Sequence, residues 1–151
     1  MVLWLFVVFS GIAVGAGLYE LRVNVPRWFT PIGPSARPVN VDAITKDDSG
    51  RRFWGFVTTA PLTLLTAASC VIAWHPATAR EQWWLVGAAV MLVERVGTFG
   101  YFIPTLLKLL PPGRLSQENA EKAARHWVRL NHVRSLFAFA GWLAALRALS
   151  L

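Results

Sequence analysis

The sequence predicts an all-α protein, in which a bundle of four transmembrane helices forms a single integral membrane domain over residues 1–151. Two observations predict this fold. The chain is 55% hydrophobic and contains eight tryptophans, which is more apolar surface than a water-soluble domain of this length buries. The apolar residues also fall into four long runs, each close to the roughly 20 residues that cross a bilayer as a helix.

Polar or helix-breaking segments separate the four predicted spans. The spans cover about residues 2–25, 53–74, 83–110 and 127–150. The first connection is rich in proline, glycine and polar residues, and the third begins with Pro111, Pro112 and Gly113, so both are predicted loops. Ser116 follows the third break and is a suitable N-cap for a helical lead-in to the fourth span.

Lysine and arginine are concentrated in the first and third connections, whereas the second holds only Arg80 and the tail only Arg147. The first and third connections of a four-span protein lie on the same side, and basic loops favour the cytoplasmic side. We therefore expect N and C termini on the same, outer side of a bacterial-type cytoplasmic membrane. Most of the tryptophans fall near span ends, where interfacial belts place them.

Composition argues against several other classes of protein. The formal charge of +7 does not indicate nucleic-acid binding, because the basic residues cluster between apolar runs and form no stripe with interleaved aromatics. Cys70 is the single cysteine, which excludes an internal disulfide and a cysteine-based metal cluster. The three histidines lack the spacing of a haem or di-iron site, and no glycine-rich nucleotide motif is present. We therefore expect no metal and no cofactor.

Glu94 and Arg95 interrupt the third apolar run near its centre. Glu94 lies about 15 Å along a helix from Trp84, close to the bilayer midplane, where a charged residue costs on the order of 2.5–3.5 kcal/mol. Because neighbouring residues on a helix point about 100° apart, we expect Glu94 and Arg95 to have different partners. A buried ion pair is a poor stabiliser, so a polar functional pocket around Glu94 is the favoured interpretation.

The fourth run supplies a polar face at a similar depth. Trp127, Asn131 and Arg134 share this face, and Arg134 is placed to pair with Glu94. On the third run Tyr101 follows Glu94 at helical spacing. The predicted pocket extends from the middle of the membrane toward its cytoplasmic side.

A second polar face ends the first run, where Glu20, Asn24 and Arg27 lie on one side of a helix. These three residues are close to the membrane surface. A solvated interfacial stripe explains them as well as a pocket does.

Four segments in this order resemble a known family. They are YELRVNVPRW at 19–28, RFWGFVTTA at 52–60, ERVGTFGYFIP at 94–104 and WVRLNHVR at 127–134. The chain resembles the anthrone-oxygenase-like family of small four-span membrane proteins. Members with an assigned role oxidise anthrones to anthraquinones with molecular oxygen and without an evident redox cofactor. The resemblance therefore implies an oxidoreductase of polyketide secondary metabolism.

Anthrone oxidation makes simple chemical demands on a site. An anthrone is a flat lipophilic ketone with an acidic methylene, so the enzyme needs a base, a donor for the developing oxyanion and an apolar slot. We expect Glu94 to be the base, while Arg134 and Asn131 hold the oxyanion. The predicted substrate-binding residues are Tyr101, Trp127, Phe102, Arg95, Glu20, Asn24 and Arg27.

Two alternatives stay open at this point. The same pocket could cyclise or isomerise a lipophilic polyketide without using oxygen. Alternatively, the protein binds a lipophile or assists assembly without catalysis, and its buried charges fix the register of its helices. In each case the expected partners are a lipophilic small molecule and membrane lipid, with no nucleic acid, and a homo-oligomer is compatible with the sequence.

Overall fold

The computed structural model describes residues 1–29, 53–109 and 115–151. Within these ranges the chain is all-helical and contains no strand. The helices are α1 Val2–Arg27, α2 Phe53–Ile72, α3 Ala79–Leu109 and α4 Gln117–Leu149. The predicted all-α class is confirmed, while the predicted first connection and the break at residues 111–113 lie outside the described residues.

Helices α1, α2 and α3 are long and apolar enough to cross a membrane. Helix α4 is longer, at 33 residues, but it is not among the helices that are both long enough and apolar enough to cross a membrane. Its first turns carry exposed ion pairs, Lys122 with Glu118 and Arg125 with Glu121. The crossing of α4 and the side of the termini therefore stay predictions.

Capping residues fix where α3 and α4 begin. Helix α3 begins at Ala79, before the predicted residue 83, because Thr78 and Glu81 form a capping box. In it, Glu81 N donates to Thr78 Oγ1 at 3.2 Å and Thr78 N donates to Glu81 Oε2 at 3.0 Å. The predicted cap of α4 is confirmed, since Ser116 Oγ accepts from Asn119 N at 3.4 Å.

Three helices of the described chain contain a π-helical segment, where backbone hydrogen bonds run from residue i+5 to residue i. These segments are Glu20–Asn24 in α1, Phe53–Thr59 in α2 and Thr98–Phe102 in α3. Examples are the bonds from Val25 N to Glu20 O and from Ile103 N to Thr98 O. All three segments lie at the end of the bundle that carries the first and third connections.

The helices pack as a ring, in which α1 and α3 each contact both α2 and α4. Two apolar clusters fill the ends of the bundle. The terminal cluster, near the chain termini, contains Leu3, Phe6, Val7, Ala13, Leu62, Met91, Ala145 and Ala148. The loop cluster, at the opposite end, contains Val25, Trp28, Phe102, Leu109, Ala120, Ala124 and Trp127. The buried charges lie between these clusters.

Candidate functional site

Glu94 is almost fully buried, at 4% exposed, on the turn of α3 that precedes its π segment. Thr98 Oγ1 donates to Glu94 Oε1 at 3.0 Å, and Arg95 Nε donates to Glu94 Oε2. From α4, Arg134 brings its Nε to 3.8 Å from Glu94 Oε1. The carboxylate is therefore held between two guanidinium groups and a hydroxyl.

The expectation that Glu94 and Arg95 have different partners is wrong, because they pair with each other. Adjacent side chains do leave a helix about 100° apart. The arginine side chain is long enough, however, to fold back across that angle and reach the neighbouring carboxylate. The predicted pairing of Glu94 with Arg134 is confirmed by the 3.8 Å distance between them.

The Arg134 guanidinium lies over two aromatic rings. Its Cζ is 4.9 Å from the centroid of the Phe102 ring and 5.8 Å from that of Trp54. Both distances are within the range of a cation–π interaction. Contacts from α2 and α3 thus hold this α4 side chain beside Glu94.

A cavity of about 440 Å³, the larger of the two described below, lies on one side of these charges. Residues of all four helices line it, and apolar side chains such as Leu62, Met91 and Phe139 make up most of its wall. Glu94, Arg95 and Arg134 form its charged end, and His132 also lines it. Its volume is typical of a pocket for a small organic ligand.

The smaller cavity, about 240 Å³, lies toward the loop cluster. Each of the three π segments contributes to its wall: Glu20 from the first, Trp54, Gly55 and Thr59 from the second, and Thr98 and Phe102 from the third. Trp127 lines it from α4, and its Nε1 donates to Phe102 O at 3.2 Å. Because π-helical turns are frequent at functional sites, their convergence on one cavity makes this cavity part of the candidate site.

Three side chains line both cavities: Trp54, Arg95 and Arg134. They therefore form the partition between the cavities. The Arg95 Nη1 atom is buried and has no hydrogen-bond partner within the part of the chain that the structure describes. A ligand in either cavity would lie against this partition.

Comparison with known families identifies the chain. The family model for anthrone oxygenase matches residues 51–144, more than half of the sequence and a range that includes Glu94, Arg95 and Arg134. The chain belongs to the anthrone oxygenase family. Comparison with curated proteins and with solved structures gave no match. The predicted resemblance is thus confirmed, although Glu20, Asn24 and Arg27 precede the matched range.

This member of the anthrone oxygenase family brings most of its predicted site residues together. The predicted residues that line one or both cavities are Glu94, Arg95, Arg134, Phe102, Trp127 and Glu20. Tyr101 lines neither cavity, and its ring packs edge-on against Phe102 at 5.3 Å and His126 at 5.8 Å. The π segment changes the helical spacing after Thr98, so Phe102 takes the position that α-helical spacing predicted for Tyr101.

Asn131, Asn24 and Arg27 also line neither of the two cavities. Asn131 is fully buried on α4, and both atoms of its amide lack a hydrogen-bond partner among the described residues. Asn24 is half-buried in the first π segment, and Arg27 is exposed at the end of α1. The predicted contacts of these three side chains with a substrate stay predictions.

Sequence reasoning missed Trp54, which it assigned to the interfacial belt of tryptophans. In this family member Trp54 borders both cavities and stacks on Arg134. The nearest signal was the segment RFWGFVTTA, which carried part of the family resemblance. The orientation of Trp54 depends on the π segment of α2, so α-helical spacing could not show it.

A protein metal site needs several ligating side chains close together. Within residues 1–29, 53–109 and 115–151, no three His, Cys, Asp or Glu side chains form a group that could hold a metal ion. The expectation of a protein without metal or cofactor stays a prediction.

Proposed function

We propose that this protein is an intramembrane oxygenase that converts an anthrone-type substrate, a flat lipophilic aromatic ketone, to the quinone with molecular oxygen. One observation carries the proposal: the buried Glu94 carboxylate lies at the charged end of an otherwise largely apolar cavity of about 440 Å³. Membership of the anthrone oxygenase family supports it. Three helices that suit a membrane also support a substrate that partitions into lipid.

Glu94 acts as the general base in this proposal. It accepts a proton from the methylene group opposite the ring ketone, which leaves an enolate. Its oxygens are engaged by Thr98 and Arg95, but each carboxylate oxygen has a second lone pair available to a substrate proton. A base fixed by neighbouring side chains loses little orientation in the transition state.

Arg134 stabilises the negative charge that develops on the ketone oxygen. Its guanidinium is already oriented by Phe102, Trp54 and Glu94, so it needs no reorganisation when the charge forms. Asn131, which was predicted to share this role, lines neither of these cavities, and its contact with the oxyanion stays a prediction.

The substrate itself supplies the electrons for oxygen reduction. The enolate transfers an electron to dioxygen, and the resulting radicals combine to form a carbon–oxygen bond. A returning proton gives the hydroperoxide. Loss of the second methylene proton breaks the oxygen–oxygen bond, releases water and leaves a second ketone. Each turnover therefore consumes one dioxygen, forms one water and converts CH₂ to C=O.

The first test measures oxygen uptake by the purified protein supplied with anthrone, against the spontaneous rate without protein. We expect uptake above that rate, and a loss of roughly 100-fold or more in Glu94→Gln, which is typical when a general base is removed. Glu118→Gln is the matched control, because that side chain is 76% exposed on α4 and lines neither cavity.

Three results would contradict the proposal. Oxygen uptake equal to the spontaneous rate would show that the protein does not oxidise anthrone. Full activity in Glu94→Gln would show that Glu94 is not the general base. Turnover of a polyketide substrate that continues under nitrogen would replace the oxygenase with the non-oxidative cyclase or isomerase.

A further inference from the structure

The larger cavity opens to the outside between α1 and α4. Among the described residues that line it, the exposed ones all belong to these two helices: Leu18 on α1, and His132, Leu136 and Phe139 on α4. The lining residues of α2 and α3 are buried or half-buried. We call this opening the α1–α4 mouth, and its rim is apolar except for His132.

Two arginines continue the helix faces that form the mouth. On α1, Arg22 follows Leu18 by four residues, and on α4, Arg129 precedes Leu136 by seven. Residues at these spacings lie on about the same side of a helix. Both arginines are exposed. The apolar mouth is therefore followed by cationic side chains toward the end of the bundle that carries the first and third connections.

Contacts between α1 and α4 place the two arginines at similar depths. A Cβ atom on Gly17 would lie 3.9 Å from Ser135 Oγ, and the ring centroids of Trp28 and Trp127 are 5.1 Å apart. The two helices therefore run antiparallel between these contacts. In this arrangement Arg22 lies within about one helical turn of Arg129, so the mouth and both cations belong to one groove.

Neither Arg22 nor Arg129 takes part in an ion pair with a described carboxylate. Glu20, two residues before Arg22, lines the smaller cavity instead. Arg129 is five residues from Arg134, or about 7.5 Å along α4, and Arg134 reaches the Glu94 carboxylate. In a membrane-spanning bundle, exposed charges at this depth are costly unless a partner balances them.

An anionic phospholipid carries a phosphate and apolar chains in the same order as this groove. Arginine binds phosphate oxygens through two hydrogen bonds at once, and its long apolar stem lets the guanidinium reach toward the headgroup level. The arginines lie toward the predicted cytoplasmic side. Anionic lipids are enriched in that leaflet, and basic pockets between membrane helices bind their headgroups.

We propose that the groove between α1 and α4 binds an anionic phospholipid, whose phosphate pairs with Arg22 and Arg129 and whose acyl chain lies in the α1–α4 mouth. The inference rests on the predicted crossing of the membrane by α4. It does not depend on the chemistry proposed for Glu94.

The test is equilibrium binding of lipid to the full chain in a neutral detergent, measured by native mass spectrometry. The probes are dioleoyl phosphatidylglycerol and dioleoyl phosphatidylcholine, which share their acyl chains and differ in net charge. We expect the anionic lipid to bind about tenfold more tightly, an effect typical of charge-assisted hydrogen bonds. Glycerol 3-phosphate, which has the phosphate without the chains, should not displace it at equal concentration.

Substitutions locate the preference at the two arginines. Arg22→Gln with Arg129→Gln keeps polar side chains and removes both charges, so the preference should fall to about twofold or less. The matched control is Arg80→Gln with Arg147→Gln, which removes the same charge from exposed side chains at the opposite end of the bundle. It should keep the full preference.

A second pair of variants tests the acyl chain. Leu136→Asn places an amide in the α1–α4 mouth, so both lipids should bind about threefold or more weakly while their ratio stays the same. Leu64→Asn is the control, because Leu64 is 72% exposed on α2, close to the 68% of Leu136, and lines neither cavity. It should leave both affinities unchanged.

Equal binding of the two lipids to the unmodified protein would overturn the inference, as would a full preference after both arginines are replaced. If that double variant does not fold, a full preference in each single variant overturns it instead. An equal loss in Arg80→Gln with Arg147→Gln would assign the preference to overall charge. Displacement by glycerol 3-phosphate, or unchanged affinities in Leu136→Asn, would overturn the place of the acyl chain.

Failure here is distinguishable from failure of the proposed function, because lipid binding is measured without turnover. A lipid preference without oxygen uptake keeps the phospholipid site and contradicts the oxygenase. Oxygen uptake without a lipid preference does the reverse.

Discussion

The two ends of the bundle are built in different ways. Near the terminal cluster, α3 and α4 approach so closely that a Cβ atom on Gly87 would lie 3.0 Å from Gly141 O. Near the loop cluster, three helices contain π segments that line the smaller cavity. The terminal end holds α3 and α4 together through small residues in contact, and the loop end opens into the smaller cavity.

Because of this difference, we expect different residues to determine the stability of the bundle and the chemistry of the site. The close contact of α3 and α4 depends on the size of side chains and on no charge. Four ionisable groups lie at the partition and around it: Glu94 and Arg95 are buried, and Glu20 and Arg134 are half-buried. Removing such groups from water costs free energy. We therefore expect substitutions at the terminal end to change the free energy of unfolding, and substitutions near Glu94 to change activity.

The largest change in stability is expected from Gly87→Ala. The added methyl group would lie 3.0 Å from Gly141 O and 3.1 Å from Ala145 N, both backbone atoms that cannot move aside alone. Overpacking of this kind costs about 1–3 kcal/mol, more than the roughly 0.5–1 kcal/mol that alanine gains over glycine in a helix. Circular dichroism in detergent should show a lower midpoint of thermal unfolding.

Gly15→Ala is the control for this comparison, because a Cβ atom there would meet no atom within 4 Å. Its unfolding midpoint should stay the same or rise. Equal midpoints for the two variants would show that the helix contact at Gly87 does not limit stability.

A smaller effect, on rate, is expected from Thr98→Val. The substitution keeps the shape of the side chain and removes the hydroxyl that donates to Glu94 Oε1 at 3.0 Å. A hydrogen bond to a charged group contributes about 1.5–3 kcal/mol, so kcat for anthrone oxidation should fall about tenfold or more while KM changes little. Steady-state oxygen uptake measures both constants.

Thr66→Val supplies the comparison at a second buried threonine. The Thr66 hydroxyl donates to Leu62 O of its own helix at 2.7 Å, and not to Glu94. We expect kcat to be unchanged. An equal loss of kcat in both variants would mean that general loosening of the bundle, and not the orientation of Glu94, sets the rate.

The smallest effect is expected from Lys122→Ala, because Lys122 is exposed on α4 and lines neither cavity. Lys122 pairs with Glu118 on the first turns of α4, where the two side chains are 71% and 76% exposed. Exposed ion pairs contribute little to stability. Neither the unfolding midpoint nor oxygen uptake should change measurably, and a large loss of uptake would show that this part of α4 acts on the site.

The four long helices of the described residues and their approximate ranges could be predicted, because crossing a membrane requires long apolar runs. Helix α3 was predicted too short, since residues 75–82 were assigned to the second connection although Thr78 and Glu81 have the spacing of a capping box. The π segments could not be predicted from a pattern that assumes α-helical spacing throughout.

Contacts in the candidate site could be predicted where they depend on the depth of a residue along its helix. They could not be predicted where they depend on the length of a side chain or on a local change of helical register. Glu94 and Arg134 were matched by their depth, and the structure brings them together. The Glu94–Arg95 pair depends on a long side chain folding back, which helical angles do not show. Tyr101 was misplaced because the π segment follows Glu94 and shifts the face of α3.

The π segment Thr98–Phe102 also affects how related sequences should be aligned. A π turn accommodates one residue more than an α turn, so it is equivalent to a one-residue insertion in a helix. Deleting one residue there would restore α register and rotate everything after it by about 100° around α3. In an alignment of related chains, a one-residue gap at this segment would therefore mark a relative that presents a different side chain to the Arg134 partition.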